Sequence, residues 1–235
     1  MEKIGVIGGS ILLNSSVFKG AIEEKIKTPY GECALFIKNN LILVLRHGKN
    51  NDIPPHKINH RANIYALKEK GIKKIVSITS VGSLRKNIMP GDIVVPHDYI
   101  EFFPPTFFDG KITHITPGIS NELRKVVIKA AKMLKIKIIE KGVYFKTRGP
   151  RLETKAEINM LKRFADVVGM TMAPEATLAK ELGIEYAAIS SVDNYCNGIM
   201  PKSKDLTNEE IEKNRAKNIG RIEKLLEKTI WLLEG

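Results

Sequence analysis

Four short segments hold the residue types that could do chemistry. Gly8-Gly9-Ser10 follows the apolar run Ile4–Ile7; glycines there let the backbone approach an anion, and Ser10 can donate to it. The spacing is neither G-x-G-x-x-G nor a Gly-Lys-Ser/Thr phosphate loop, and a tight turn leaving a strand explains the glycines equally well. Arg46-His47-Gly48 follows Ile42–Leu45. A guanidinium at a strand end suits a phosphate, and it also suits an ion pair at the edge of a sheet. Thr79-Ser80-Val81-Gly82-Ser83 follows Lys74–Ile78, again with hydroxyls and a glycine. Gly169-Met170-Thr171-Met172-Ala173-Pro174-Glu175 sets a hydroxyl before a proline suited to a first helical turn. One arginine and several hydroxyls converging without metal-ligand spacing point to a bound oxyanion, not a metal.

These segments need a frame that gathers them. Short β runs alternate with helical periodicity. Strands are expected at Ile4–Ile7, Ala34–Ile37, Ile42–Leu45, Lys74–Ile78, Asp92–Val95, Gly142–Phe145 and Glu185–Ser190, and helices at Ala62–Lys70, Asn121–Leu134, Lys155–Phe164, Glu175–Leu182 and Glu209–Leu233. Capping boxes are read at Thr154-Lys155-Ala156-Glu157 and Thr207-Asn208-Glu209-Glu210, and Ser120 is read as an N-cap. The alternation predicts an α/β fold with a largely parallel central sheet, and ligands of such sheets bind at the strands' carboxyl ends. Ser10, Arg46, Thr79 and Thr171 all fall at expected strand exits.

The bulk properties bound the reading. With 235 residues, 43% hydrophobic, the chain can bury a core without a disulfide or metal. The two cysteines, Cys33 and Cys196, are far apart, as expected in a reducing cytosol. No leader and no membrane span is expected: the first residues run directly into a strand pattern, and no segment holds the ~18 apolar residues needed. The formal charge of +12 is spread over the whole chain, without the clustered cations and exposed aromatics of a nucleic-acid binder. It predicts a mild positive field that favours anionic substrates. The absence of glutamine and the wealth of Ile, Lys and Glu resemble proteins from hot environments.

Taken in order, Ile7–Ser10, Arg46–Gly48, Pro55–Asn63, Gly82–Leu84, Pro90–Asp92, Gly149–Glu157 and Gly169–Glu175 resemble the motif series of the purine nucleoside phosphorylase and methylthioadenosine phosphorylase family, from residue 4 to about residue 211. The resemblance implies one α/β domain over residues 1–235, built on a mixed, partly barrel-like sheet flanked by helices. It implies a cytoplasmic homotrimer or dimer of trimers. It also implies phosphorolysis of a purine nucleoside with inorganic phosphate as co-substrate and no cofactor. Neither a covalent nucleophile nor a metal is needed, because positioning and aimed polar groups suffice. Carried over motif by motif, Ser10, Arg46, His47, Thr79, Ser80 and Thr171 would bind phosphate, and Met170 would pack on the sugar. Glu153 and Asn194 would face the purine as the catalytic pair, with Tyr195 and Cys196 beside them.

Two positions separate the branches. Those acting on 6-aminopurines resemble one another in having Ser after Gly-Pro-Arg-Phe and an Asp-Tyr-Asp motif later; those acting on 6-oxopurines have Glu and Asn. Here Glu153 follows Gly149-Pro150-Arg151-Leu152, and the later motif is Asp193-Asn194-Tyr195-Cys196. A carboxylate accepts the N1 proton of a 6-oxopurine but opposes the N1 lone pair of adenine, and an Asn amide serves both N7 and O6. A one-residue slip would instead make Asp193 the base reader. For the sugar's 5′ side, a His suits a hydroxyl and an apolar residue a methylthio group; Asn208 in the expected region fits neither pattern. The expectation is S-methyl-5′-thioinosine, with inosine and guanosine as further substrates and a methylthioadenosine phosphorylase as the alternative.

Overall fold

A computed structural model describes residues 2–9, 12, 14–200 and 208–235. Strands β1 (Ile4–Gly8) and β4 (Leu41–Leu45) are buried along their whole length, as continuous apolar runs in a parallel layer must be. They lie side by side, and β1 also pairs in parallel with β5 (Lys74–Ser83). On the outer side, β2 (Ile22–Thr28) and β3 (Gly31–Lys38) complete an antiparallel meander onto β4.

The sheet forks at β5. Its first residues pair with β1, while Gly82 and Ser83 pair with antiparallel β9 (Val167–Gly169). Along the opposite side of β5 runs β10 (Glu185–Tyr195), from Lys74 to Ser83. From β9 the ladder continues to β8 (Val143–Lys146) and β7 (Asp98–Ile100). The short strand just before β7, β6 (Ile93–Val94), pairs back onto β10. The path through β10, β5, β9, β8 and the 93–100 segment thus returns to its start, which is the partly barrel-like closure expected.

Among the described residues, five α-helices flank this ten-stranded sheet. The first, α1 (His60–Glu69), is capped by Asn59 accepting from Ala62 N, and α2 (Asn121–Met133) by Ser120 accepting from Leu123 N. The third, α3 (Lys155–Leu161), starts with the capping box read from the sequence. The last two are α4 (Met172–Glu181) and α5 (Asn208–Glu234), with α1 against α4 and α2 against α5. The Thr207 capping box lies outside the described residues. No helix among the described residues is long and apolar enough to cross a membrane.

Several boundaries differ from expectation, each for a physical reason. Strand β5 runs five residues past Ile78 because β10 keeps pairing with it to Ser83, so Thr79 and Ser80 sit inside a strand and not at its exit. Strand β10 likewise reaches Tyr195, and α4 starts at Met172 with Pro174 inside its first turn, where a missing N–H costs nothing. Helix α3 stops at Leu161, short of the Phe164 expected.

Candidate active site

The described residues enclose a cavity of about 610 Å³, within the range of small-molecule sites. One end is built by β1, β4 and β5. Arg46, the first residue after β4, is almost fully buried and donates from Nε and Nη2 to both oxygens of Glu175, at 2.7 and 3.1 Å. Nη1 donates to Ile78 O and Nη2 to Ser77 Oγ, both at 2.7 Å. Four of the five N–H donors of the guanidinium are therefore engaged, leaving one for a ligand. Of the two roles open to Arg46 in the sequence, the ion pair is present, deep inside rather than at an edge. Burial alone would raise the Glu175 carboxyl, but Arg46 beside it holds it below the ordinary value.

His47 also lines this end. Its Nδ1 lies 2.8 Å from Ile53 O, a bond that requires Nδ1–H, and burial lowers its pKa. Thr79 shares a 2.8 Å hydroxyl–hydroxyl bond with Ser190. Thr171 is the N-cap of α4, yet its side chain makes no capping bond and lines the cavity instead. The first amides of α4 are held by the Tyr144 hydroxyl, which accepts from Thr171 N and Met172 N. Ser80 donates its hydroxyl to Asp193, so that proton is not offered to an anion. Ser10 lies outside the described residues.

The other end of the cavity holds Glu153, Asn194 and Cys196. Glu153 and Asn194 are 7% and 8% exposed, and both line the cavity. The backbone makes this possible at two points. Strand β10 carries a bulge between Val192 and Asn194, so the consecutive residues Asp193 and Asn194 both reach the cavity wall. Opposite stands Gly82, where a β-carbon would lie 2.7 Å from Cys196 Sγ and 3.1 Å from Asn194 Nδ2. Burial, with Glu153 nearby, pushes the Cys196 thiol far up, so it is a neutral wall. Met170 fits over Gly149, whose φ of +66° and lack of a side chain both leave it space.

Tyr195 is not brought in. Its hydroxyl donates to Lys86 O, its ring packs against the small hydrophobic cluster that includes Phe145 and Ile199, and it is not part of the cavity lining. The Asn208 side chain lies outside the described residues. Sequence reasoning missed several contributors, among them Thr147, a hydroxyl just past β8, and Ile211, Arg215 and Ile219 on α5. Thr147 has the same strand-exit signal as the other hydroxyls. The face that α5 turns inward has no such signal. Among the described residues no group of three or more His, Cys, Asp or Glu could hold a metal ion.

The sequence profile of the phosphorylase superfamily matches residues 3–230. A relative from Archaeoglobus fulgidus, a probable 6-oxopurine nucleoside phosphorylase, is 44% identical over 97% of both chains. A probable S-methyl-5′-thioinosine phosphorylase from Methanocaldococcus jannaschii is 45% identical over 83% of this chain and 80% of its own. An S-methyl-5′-thioadenosine phosphorylase from Pyrococcus abyssi is 39% identical over 98% and 92%. Among solved structures, methylthioadenosine phosphorylase from Schistosoma mansoni superposes with a TM-score of 0.87 at 25% identity, covering 100% of this chain and 92% of that one. The chain belongs to the phosphorylase superfamily. It is a nucleoside phosphorylase, hence a pentosyltransferase.

Proposed function

We propose that this enzyme cleaves 6-oxopurine nucleosides with inorganic phosphate, S-methyl-5′-thioinosine first among them, to hypoxanthine and 5-methylthioribose 1-phosphate. The observation that carries this is Glu153 and Asn194 buried in one cavity with Arg46 and His47 at its other end. In the reaction the C1′–N9 bond breaks and a phosphate oxygen bonds C1′ on the opposite face. The sugar gains oxocarbenium character and the purine takes the electron pair. Asn194 donates to N7 and stabilises that charge, while Glu153 accepts the N1 proton. A carboxylate there leaves an adenine N1 unpaired, a mismatch that discriminates strongly.

Phosphate is held by Ser10, Arg46, His47, Thr79, Ser80 and Thr171, with Arg46 using its one remaining donor. Met170 packs against the sugar. The 5′ side is assigned to α5, where Ile211 faces the cavity and suits a methylthio group better than a hydroxyl. The relatives named for 6-oxopurine and methylthioinosine substrates support this reading. The Pyrococcus abyssi relative keeps methylthioadenosine as a second reading. No cofactor takes part; the enzyme works in the cytosol as a trimer or a dimer of trimers.

The test is base release from S-methyl-5′-thioinosine, inosine, guanosine and S-methyl-5′-thioadenosine, with and without phosphate. Release that needs phosphate and prefers methylthioinosine is expected. A preference for methylthioadenosine overturns the base assignment, and phosphate-independent release overturns phosphorolysis.

A further inference from the structure

The first half of α5 is attached to the sheet differently from the second. Its second half packs Leu225, Leu226 and Ile230 into the core. Its first half carries Ile211, Arg215 and Ile219, spaced by four residues so that one stripe of the helix forms a wall of the cavity. What ties that half down is polar, and it converges on the β10 bulge. Asn214 Nδ2 donates to Asp193 O at 2.9 Å, and Arg215 Nε lies 3.3 Å from Asp193 Oδ2. One turn on, Asn218 Nδ2 donates to Ser191 Oγ at 2.9 Å, and Ser191 Oγ in turn donates to Asp193 Oδ1 at 2.5 Å. The second Asp193 oxygen also accepts from Ser80 on β5. Asp193 is fully buried, and its carboxylate meets Ser191, Ser80 and Arg215 while its carbonyl meets Asn214.

We propose that Asp193 is a positioning residue: one carboxylate clamps the bulge that aims Asn194 at the base and latches the cavity-lining half of α5 over the sugar. It is not the base reader, because it is fully buried and three of its roughly four acceptor sites already hold donors from the fold. The clamp joins three elements that the reaction needs in register. Strand β5 carries Thr79 and Gly82, β10 carries Asn194, and α5 carries Ile211. Ordering groups in advance of binding raises affinity by lowering the cost of fixing them.

This rests on the phosphorolysis reading above for its kinetic arm alone. The experiment compares wild type with Asp193→Asn and Arg215→Met by backbone hydrogen exchange and by steady-state kinetics on methylthioinosine at saturating phosphate. Asp193→Asn keeps the shape but turns an amide toward Arg215. Both variants are expected to speed exchange at residues 208–219 at least tenfold while 222–234 stays protected. They should raise the nucleoside KM about tenfold or more, with the phosphate KM moving less than threefold. Arg215 is partly exposed, so its variant reports even if Asp193→Asn does not fold. Unchanged exchange at 208–219 overturns the latch. Faster exchange with an unchanged nucleoside KM, or a switch of base preference on Asp193→Asn, overturns the positioning role. If wild type shows no phosphate-dependent release, the substrate reading fails, and the exchange result still decides the latch.

Discussion

Arg46 and Glu175, 129 residues apart in sequence, meet in the interior as a forked ion pair with Nε–Oε1 at 2.7 Å and Nη2–Oε2 at 3.1 Å. The pair joins the exit of β4 to the first turn of α4, so it sets the angle between the two elements at the Arg46 end of the cavity. Removing one partner of a buried pair strands the other charge. Arg46→Ala should therefore destabilise the protein by about 3–5 kcal/mol. It should also raise the KM for phosphate more than that for nucleoside. Denaturant titration and the two KM values check this, and an effect confined to the nucleoside KM would reject a phosphate role for Arg46.

His60 adds a pH dependence at the same place. It is buried, faces Glu175, Arg46, Lys146 and His47, and burial pushes its pKa down from 6.5 to about 4. The unfolded chain takes up a proton there as pH falls through 6.5, while the folded protein does so only near 4. Stability is thus fully present above 6.5 and is lost progressively between 6.5 and 4, by roughly 3 kcal/mol. The lowered Glu175 carboxyl adds a further loss in more acid solution, as it protonates in the folded protein. His60→Phe should flatten the upper part of this slope in a series of thermal melts. An unaltered slope would show that another group titrates.

The base assignment is tested by exchange of chemistry. Asn194→Asp should cost activity on hypoxanthine nucleosides, because a carboxylate facing O6 repels it, and should raise relative activity on adenine nucleosides. Adding Glu153→Ser removes the carboxylate opposed to adenine N1. A buried polar mismatch of about 1–3 kcal/mol corresponds to a relative shift of roughly ten- to a hundredfold in kcat/KM. If Asp193→Ala moves base preference and Asn194→Asp does not, the register at this motif is wrong.

Gly82 offers a gentler probe of the same wall. In Gly82→Ala the new methyl group meets Cys196 Sγ and Asn194 Nδ2, the ends of two base-side residues. The nucleoside KM should rise about tenfold while the phosphate KM stays within twofold; Cys196→Ala in the same chain should recover part of the loss. Equal changes in both constants would mean that the whole sheet had shifted.

Two of the four Phe in the 102–108 loop are covered within the subunit or nearly so: Phe107 stands edge-on to Tyr30 at 5.1 Å, and Phe108 is half-buried. Phe102 and Phe103 are 70% and 89% exposed. Phe102 touches Phe145 edge-on at 5.7 Å, but two adjacent, largely exposed aromatic rings still need cover. The pair Phe102→Ser and Phe103→Ser should shift the mass in light scattering from trimer toward monomer, and a wild-type monomer at micromolar concentration would refute the trimer.

Much of this was legible in the sequence where a local signal existed. The apolar runs of β1 and β4 and the capping box at Thr154 each state their own conformation. Strand β2 was missed because Ile-Glu-Glu-Lys-Ile-Lys-Thr is an edge strand, largely exposed on both faces and rich in charge. Strand β9 is announced only by the turn at Gly169–Thr171 that follows it, and no range was read because three residues carry no periodicity. The site residues that announced themselves were hydroxyls and an arginine beside strands. Those that did not, Glu175, Asp193 and Arg215, depend on partners as far as 129, 113 and 22 residues away. Asp193 in particular owes its place to a bulge, which shifts alternation by one and so defeats a reading by alternation.

Strand β10 is the last in the chain, yet it lies inside the sheet between β5 and β6. Until it is synthesised, one side of β5 from Lys74 to Ser83 is an open row of peptide donors and acceptors. Its partner lies 111 residues further on, as for Thr79 and Ser190, so closing that ladder is slow and late. A nascent or truncated chain lacking β10 therefore exposes a sticky edge beside the cavity. Both ends of the cavity are then completed in a single event, the docking of β10 onto β5, and a ligand that needs both ends can report only on chains that have passed it.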